Sequence, residues 1–388
     1  MQGKEKIKKV GILTLPGYFN YGNRLQAYAA EEVIKNLGFD SHILVIENIF
    51  SKPKNSKKNN ILKLIIKLRK IPIKEICPRA LNKIKRTIFL YINKGIIKER
   101  EEIFKDFSKT YLKEVFYNDT KKSLKNLSNN YDFFITGSDQ VWNPFWTNSL
   151  YFLSFTNKDK RIAYAASFGV SDIPRRYNNL YKNWLSGMKN ISVRETAGSQ
   201  IVYNSIGKEV PVLIDPTLML TKKQWFSISK RDTKRPEKNY ILIYFLGEKT
   251  RQKYKKQIKK IIKYSNLEVV SIADLKDKER YKISPNEFID YINSASLVLT
   301  DSYHGVIFSI LMETPFIVFE RTEGVKNSKS MFSRIETLLQ KFKLESRKIN
   351  GIELNNQIFD CDFSHVLPIL KNEREKAIEY LKNALNIY

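Results

Sequence analysis

Short apolar runs alternate along the chain with stretches whose apolar residues fall at helical spacing. The run "KVGILTL" (9–15) reads as a buried strand, "PGYFNYGN" (16–23) as a turn, and "RLQAYAAEEVIKNLGF" (24–39) as a helix that stops at Gly38. "SHILVIEN" (41–48) follows as a second strand, completing a β-α-β opening. Beyond residue 130 the segments "YDFFITGSDQVW" (131–142), "RIAYAASFG" (161–169), "ISVRET" (191–196) and "PVLIDPTLML" (211–220) each end in polar or glycine-containing turns, and read as the remaining strands of a first domain. At 221–239, "TKKQWFSISKRDTKRPEKN" is charged, contains proline and lacks an apolar period, as a linker does.

After it the alternation resumes. "YILIYFLG" (240–247), a basic helix at 249–264, "LEVVSIAD" (267–274), the helical "SPNEFIDYINSA" (284–295), the strand "SLVLT" (296–300) and the strand "PFIVFE" (315–320) repeat the β-α-β logic. "KNEREKAIEYLKNALNIY" (371–388) is an amphipathic terminal helix. The pattern therefore predicts an α/β protein with a Rossmann-like domain over 1–220, a linker over 221–239, and a second Rossmann-like domain over 240–388 that ends in a closing C-terminal helix. Two such units facing one another across a cleft make a GT-B-like architecture.

Charge alters this picture in one place. The net charge is +28, and residues 51–130 hold 22 Lys and Arg against 7 Asp and Glu. Within a basic helical insertion expected over about 50–130, "ILKLIIKLRKIPIKEICPRALNKIKRTIFLYINKGIIKER" interleaves Ile and Leu with Lys and Arg. Such a segment suits peripheral contact with an anionic membrane surface, with Lys63, Lys67, Arg69 and Lys70 among the cations that would face lipid. A solvated helical cover is the competing reading. No nucleic-acid-binding pattern accompanies the charge. Cys77 and Cys361 are too few and too far apart for a disulfide framework or a zinc site, and no apolar run reaches the length of a membrane span. These features imply a cytoplasmic protein, peripheral at most at the inner membrane face, with no metal and no nucleic-acid partner.

Candidate chemistry gathers at the turns that follow strands. In "LTDSYHGVIFSILMETPF" (299–316), His304 lies where a strand passes into a helix, with Ser302 and Gly305 beside it; at such turns helix amides can hold an anion. A packed or capping histidine is the bland alternative. Asn20, Gly22 and Asn23 open the first helix and serve either a ligand's hydroxyls or the helix cap. The turn carries neither a P-loop nor GxGxxG. "TGSDQVW" places Ser138, Asp139, Gln140 and Trp142 at a strand end, where a carboxylate, an amide and an indole resemble a sugar-binding edge, although a turn that only caps a helix uses Gly-Ser-Asp too. Arg194 ends "ISVR", offering a two-point grip on carboxylate or phosphate unless it is taken up by Glu195 or Asp215. Downstream, Arg321, Lys326 and Arg334 belong to a cationic stretch expected to face the histidine turn.

Taken together, "GNRLQAYA", "ITGSDQVWN", "AYAASFG", "ISVRE", "LIDPTLML" and "LTDSYHGVIFSILMETPFIVF" occur in order and at separations that resemble the polysaccharide pyruvyl transferase family, over most of the chain outside 50–130. The resemblance implies transfer of a pyruvyl group from phosphoenolpyruvate, a co-substrate, to sugar hydroxyls of a cell-surface polysaccharide or a precursor that includes lipid-linked forms, giving a cyclic ketal without a bound cofactor. It matches Arg194 to a family arginine that holds the donor, and His304 to the family histidine, whose role is proton delivery or phosphate contact. Ser302, Gly305, Arg321, Lys326 and Arg334 are then donor-side candidates, and Asn20, Gly22, Asn23, Ser138, Asp139, Gln140 and Trp142 acceptor-side candidates. One departure stands out. Many members carry an arginine two residues before the histidine, where this chain has Ser302. Either another cation compensates or the donor differs. A glycosyltransferase using a nucleotide-sugar and a non-catalytic glycan-binding relative are the rival readings.

Overall fold

A computed structural model describes residues 7–47, 87–237, 239–321, 329–353 and 355–387. Cys77, Lys63, Lys67, Arg69, Lys70 and Lys326 lie outside the described residues.

The first sheet holds β1 (Lys9–Leu13), β2 (Asp40–Glu47), β3 (Glu114–Asn118), β4 (Phe133–Thr136), β5 (Arg161–Ala166) and β6 (Asn190–Val193). All neighbours are parallel, in the order β3-β2-β1-β4-β5-β6. This is the doubly wound order, whose crevice opens between β1 and β4, where the sequence of connections reverses direction. The second sheet holds β7 (Tyr240–Tyr244), β8 (Glu268–Ile272), β9 (Leu297–Thr300) and β10 (Phe316–Val318), parallel and in the order β10-β9-β7-β8. Its reversal falls between β7 and β9. The central strands β1, β4, β7 and β9 are almost wholly buried, which is why they read as unbroken apolar runs rather than alternating ones.

Helix α1 (Tyr21–Asn36) crosses from β1 to β2 and is buried over most of its circumference. One apolar core continues from it into the second sheet: Tyr21 stacks on Phe288 with ring centroids 4.6 Å apart and meets Tyr244 edge-on at 5.6 Å. The C-terminal helix, Val366–Ala384, returns to the first unit, where Arg374 donates to the carbonyls of Leu218 and Leu220, and Tyr380 to that of Ala163.

Three elements differ from their sequence reading. "PVLIDPTLML" is not a strand: Val212 makes an isolated bridge to Val193, and Asp215 then caps a short helix, Pro216–Met219, whose first residue is proline. Asp-Pro-Thr is a helix-start signal that outweighs the apolar run around it. The basic helix at 249–264 is two helices, Glu248–Lys253 and Lys255–Ser265, separated at Tyr254, which is buried against Phe319. Within the basic stretch, β3 pairs with β2 at the sheet edge and α2 (Lys94–Tyr111) packs on α1, so this part of the stretch belongs to the first sheet's layer. Just before α2, Ile88, Phe89, Leu90, Tyr91 and Ile92 are exposed. No helix among the described residues is long and apolar enough to cross a membrane.

Candidate active site

The two crevices face each other, and each supplies one wall of a buried polar cluster. The first wall is built at the carboxyl ends of β1, β4 and β6. After β4 the chain turns through Gly137, where φ is +123° and a Cβ would stand 2.1 Å from the carbonyl oxygen of Tyr164, so glycine is required. That turn delivers Ser138 and Asp139. Arg194 follows β6 directly, and Asp215 arrives as the cap of its short helix.

Asp215 is the hub of this wall. Its Oδ2 accepts from Arg194 Nη1 at 2.6 Å and from Ser138 Oγ at 2.8 Å, while Oδ1 accepts from the Thr217 amide at 3.0 Å and the Thr217 hydroxyl at 2.7 Å. Burial alone would raise its pKa, but His304, Arg194 and the Thr217 amide outweigh that and hold the carboxyl well below the usual range. Asp139 accepts from Asn23 Nδ2 at 3.1 Å and from the Gln140 amide at 2.8 Å. Burial opposes its ionisation too, and Arg194 and His304 again prevail, lowering its pKa. Asn23 is fully engaged, donating also to the Leu15 carbonyl and accepting from Arg24.

The second wall comes from β9 and helix α3 (Tyr303–Met312). Ser302 caps that helix, accepting from the Gly305 amide at 3.3 Å. His304 reaches across to the first wall: its Nε2 lies 3.6 Å from Asp215 Oδ2 and has no hydrogen-bond partner among the described residues. Its ring packs on Gly22, where any Cβ would stand 2.1 Å from His304 Nδ1. Glycine at position 22 is thus what lets α1 and α3 approach. Gly305 is constrained in the same way by Thr300 Oγ1, 2.5 Å from where its Cβ would be.

Two guanidiniums share the Tyr303 ring, Arg194 at 4.3 Å and Arg334 at 5.7 Å from its centroid. Arg334, from the helix Lys329–Lys341, is 6 % exposed and makes no ion pair among the described residues. With the Gln140 amide turned so that its oxygen faces Arg334, that oxygen accepts at 2.9 and 3.0 Å. Burial, then repulsion from Arg194, pulls the Arg334 pKa down to about 10. Arg194 Nε and Nη2 and Arg334 Nε are buried donors without a hydrogen-bond partner among the described residues. Glu195 lies alongside, its Oε1 held by the Ser167 hydroxyl and the amides of Phe168 and Gly169.

The cluster thus brings together His304, Arg194, Ser138, Asp139, Gly22, Asn23, Gln140 and Arg334. Asn20 keeps its capping part, accepting from the Asn23 amide at the start of α1. Arg321 is tied to Asp301, with Nη2 donating to its carbonyl at 2.9 Å. Trp142 does not belong to a sugar-binding edge: it is fully buried, stacked on Phe152 at 4.9 Å, and its indole N–H is taken by the Tyr151 carbonyl. The exposed aromatics of that stretch are Phe145 and Trp146, the latter donating to the Gln140 carbonyl at 3.0 Å. Asp215, considered from sequence only as an ion partner, is the residue that links both walls; its Asp-Pro signal marks a cap and carries no hint of the cleft. No three His, Cys, Asp or Glu side chains group as a metal site among the described residues.

Among solved structures, the chain is similar to a glycosyltransferase from Rickettsia africae, at 12% identity with 98% of this chain and 100% of that one covered and a TM-score of 0.47. It is also similar to the UDP-GlcNAc 2-epimerase of Methanocaldococcus jannaschii, at 13% identity, 98% and 100% coverage and a TM-score of 0.44. General stress protein 30 of Bacillus subtilis is 40% identical over 58 residues, a match that covers 15% of this chain and only 16% of that protein. The family model for polysaccharide pyruvyl transferase matches residues 20–323, a span that contains both walls of the cleft up to Arg321, and the chain belongs to that family.

Proposed function

We propose that the protein transfers the pyruvyl group of phosphoenolpyruvate to two hydroxyls of one sugar in a cell-surface polysaccharide or its precursor. The observation that carries this reading is the meeting of His304, from the second sheet, with the Asp215–Arg194 pair of the first, 3.6 Å away, beside buried guanidinium N–H groups that have no hydrogen-bond partner among the described residues.

The reaction asks for those groups. Phosphoenolpyruvate brings a carboxylate and a phosphate; its C3 must gain a proton as one sugar hydroxyl adds to C2. A second hydroxyl then displaces phosphate, which leaves with the remaining proton, and the ketal closes. His304, set against the fixed negative charge of Asp215, is placed to give or take a proton. Arg334 carries a buried charge with no carboxylate within ion-pair distance among the described residues, so an anion settling beside it and Arg194 gains a strong, charge-assisted contact. It supplies the charge that Ser302 lacks, whereas Arg321 is already committed to Asp301. Asp139 and Gln140 stand on the acceptor side, with Trp146 as the exposed ring against which a sugar can stack.

Phosphate release from phosphoenolpyruvate, measured with purified protein and a panel of nucleotide-linked and lipid-linked sugars, tests the reading. Release that depends on the acceptor is the expected result. No release with phosphoenolpyruvate, together with liberation of a nucleoside diphosphate from a nucleotide-sugar, overturns it in favour of glycosyl transfer.

A further inference from the structure

Arg100 lies on α2, in the stretch whose charge pointed to a membrane surface, yet it is 2 % exposed. Its guanidinium sits over three aromatic rings: Tyr21 at 4.5 Å, Phe104 at 4.6 Å and Tyr281 at 4.7 Å. Nη1 donates to the Tyr21 hydroxyl at 2.8 Å and to the Tyr281 carbonyl, and Nη2 donates to the Phe19 carbonyl at 3.1 Å. No carboxylate lies within ion-pair distance among the described residues. A buried cation matched only by carbonyls, a phenol and π faces is costly to leave half-satisfied, so each of these partners is held where the guanidinium needs it.

Those partners belong to opposite sides of the cleft. Phe19 and Tyr21 flank Asn20 at the start of α1, immediately before Gly22 and Asn23; Tyr281 ends the helix Lys278–Tyr281 of the second unit. His304 fits against Gly22 only while the start of α1 and the second unit keep their present spacing. We infer that Arg100 is a positioning residue, a tie between the two units that holds the α1 turn against the His304 helix and so sets the width of the cleft. It touches none of the cluster's polar groups and acts through Gly22. A shift of about 1 Å in such a site costs on the order of 100-fold in rate, which is why a tie of this kind matters. The tie is a property of the fold and holds whichever donor the cleft takes.

Hydrogen–deuterium exchange of the intact protein tests it without any substrate. In Arg100→Met, amides of residues 19–26 and of residues 300–308 are expected to exchange at least about fivefold faster, while segments around β1 and β7 keep their protection. Arg100→Lys retains a charge and a donor but cannot reach three oxygens, and is expected to restore part of the lost protection in both segments. Glu99→Gln, which removes the neighbouring, more exposed bridge to Lys282 at 3.3 Å, should leave them unchanged. Loss confined to residues 97–104 would mean that Arg100 serves only its own helix. Loss spread evenly into β1 and β7 would make it a residue of general stability. Either result overturns the proposal.

Discussion

The two walls of the cleft solve the problem of buried charge in opposite ways. On the first wall, Arg194 is matched by Asp215 at 2.6 Å, and Asp139 is matched by amide donors from Asn23 and Gln140. On the second, His304 has no hydrogen-bond partner among the described residues, and Arg334 has at most a neutral amide. The first wall is the more fully paired network, although Arg194 Nε and Nη2 and Glu195 Oε2 are buried there without a hydrogen-bond partner among the described residues. The second carries polarity that becomes worthwhile only when something binds. A scaffold and a working surface are therefore built from the same residue types, and the pairing of charge tells them apart: Arg194 holds a carboxylate at 2.6 Å, whereas Arg334 has none within ion-pair distance among the described residues.

Breaking the first wall should cost stability above all. Asp215→Asn removes the 2.6 Å partner of the buried Arg194 charge and leaves it only Asp139 at 3.9 Å, a change worth about 3–5 kcal/mol, read from urea unfolding at pH 7. The pH dependence has a definite sign. Because the folded carboxyl of Asp215 is held below its unfolded value, its contribution is complete above that ordinary value, about 3.9, and is lost as pH falls further toward the folded one. Wild type should therefore lose stability more steeply than Asp215→Asn below about pH 4. Parallel curves for the two proteins would show that Asp215 is not held ionised by folding.

The second wall should respond in rate rather than stability. His304→Ala is expected to slow pyruvyl transfer by roughly 100-fold or more, as positioned acid–base groups typically do, while remaining folded at pH 7 by urea unfolding. A folded variant with near wild-type turnover would remove His304 from the chemistry.

The smallest expected effect is at Arg334. Arg334→Gln should raise the KM for phosphoenolpyruvate by about tenfold, the worth of one hydrogen bond to a charged group, with unchanged or slightly higher stability, since a buried charge with no carboxylate in ion-pair distance among the described residues is removed. Donor titration and urea unfolding on one preparation read both. A large loss of stability with unchanged KM would place Arg334 with the scaffold and collapse the contrast between the walls.

Much of this was legible along the chain. Strands that are buried on both faces announce themselves as apolar runs, and parallel sheets make every following turn point to one side. His304, Arg194, Ser138 and Asp139 were accordingly found by their place after a strand. Trp142 was misplaced because an indole two residues beyond a polar turn has the same signature whether it faces a sugar or stacks on Phe152, 10 positions onward. The buried face of α2 was hidden by its charge: a basic helical segment is legible there, but its lysines mask the fact that Arg100 and Phe104 point inward.

The sequence by itself determined the alternation of strands and helices, the two-unit division of the polar turns, and the family to which the order of motifs belongs. These are local properties, set by hydrophobic period and turn chemistry within about ten residues. Only the tertiary structure decided which charges meet. That Asp215 rather than Glu195 pairs with Arg194, that Gly22 exists to admit His304, and that a lysine-rich stretch supplies the tie at Arg100 depend on contacts between residues far apart in the chain. Coulomb and hydrogen-bond energies fall off over a few ångströms, so they follow distances that folding creates and that spacing in sequence does not encode.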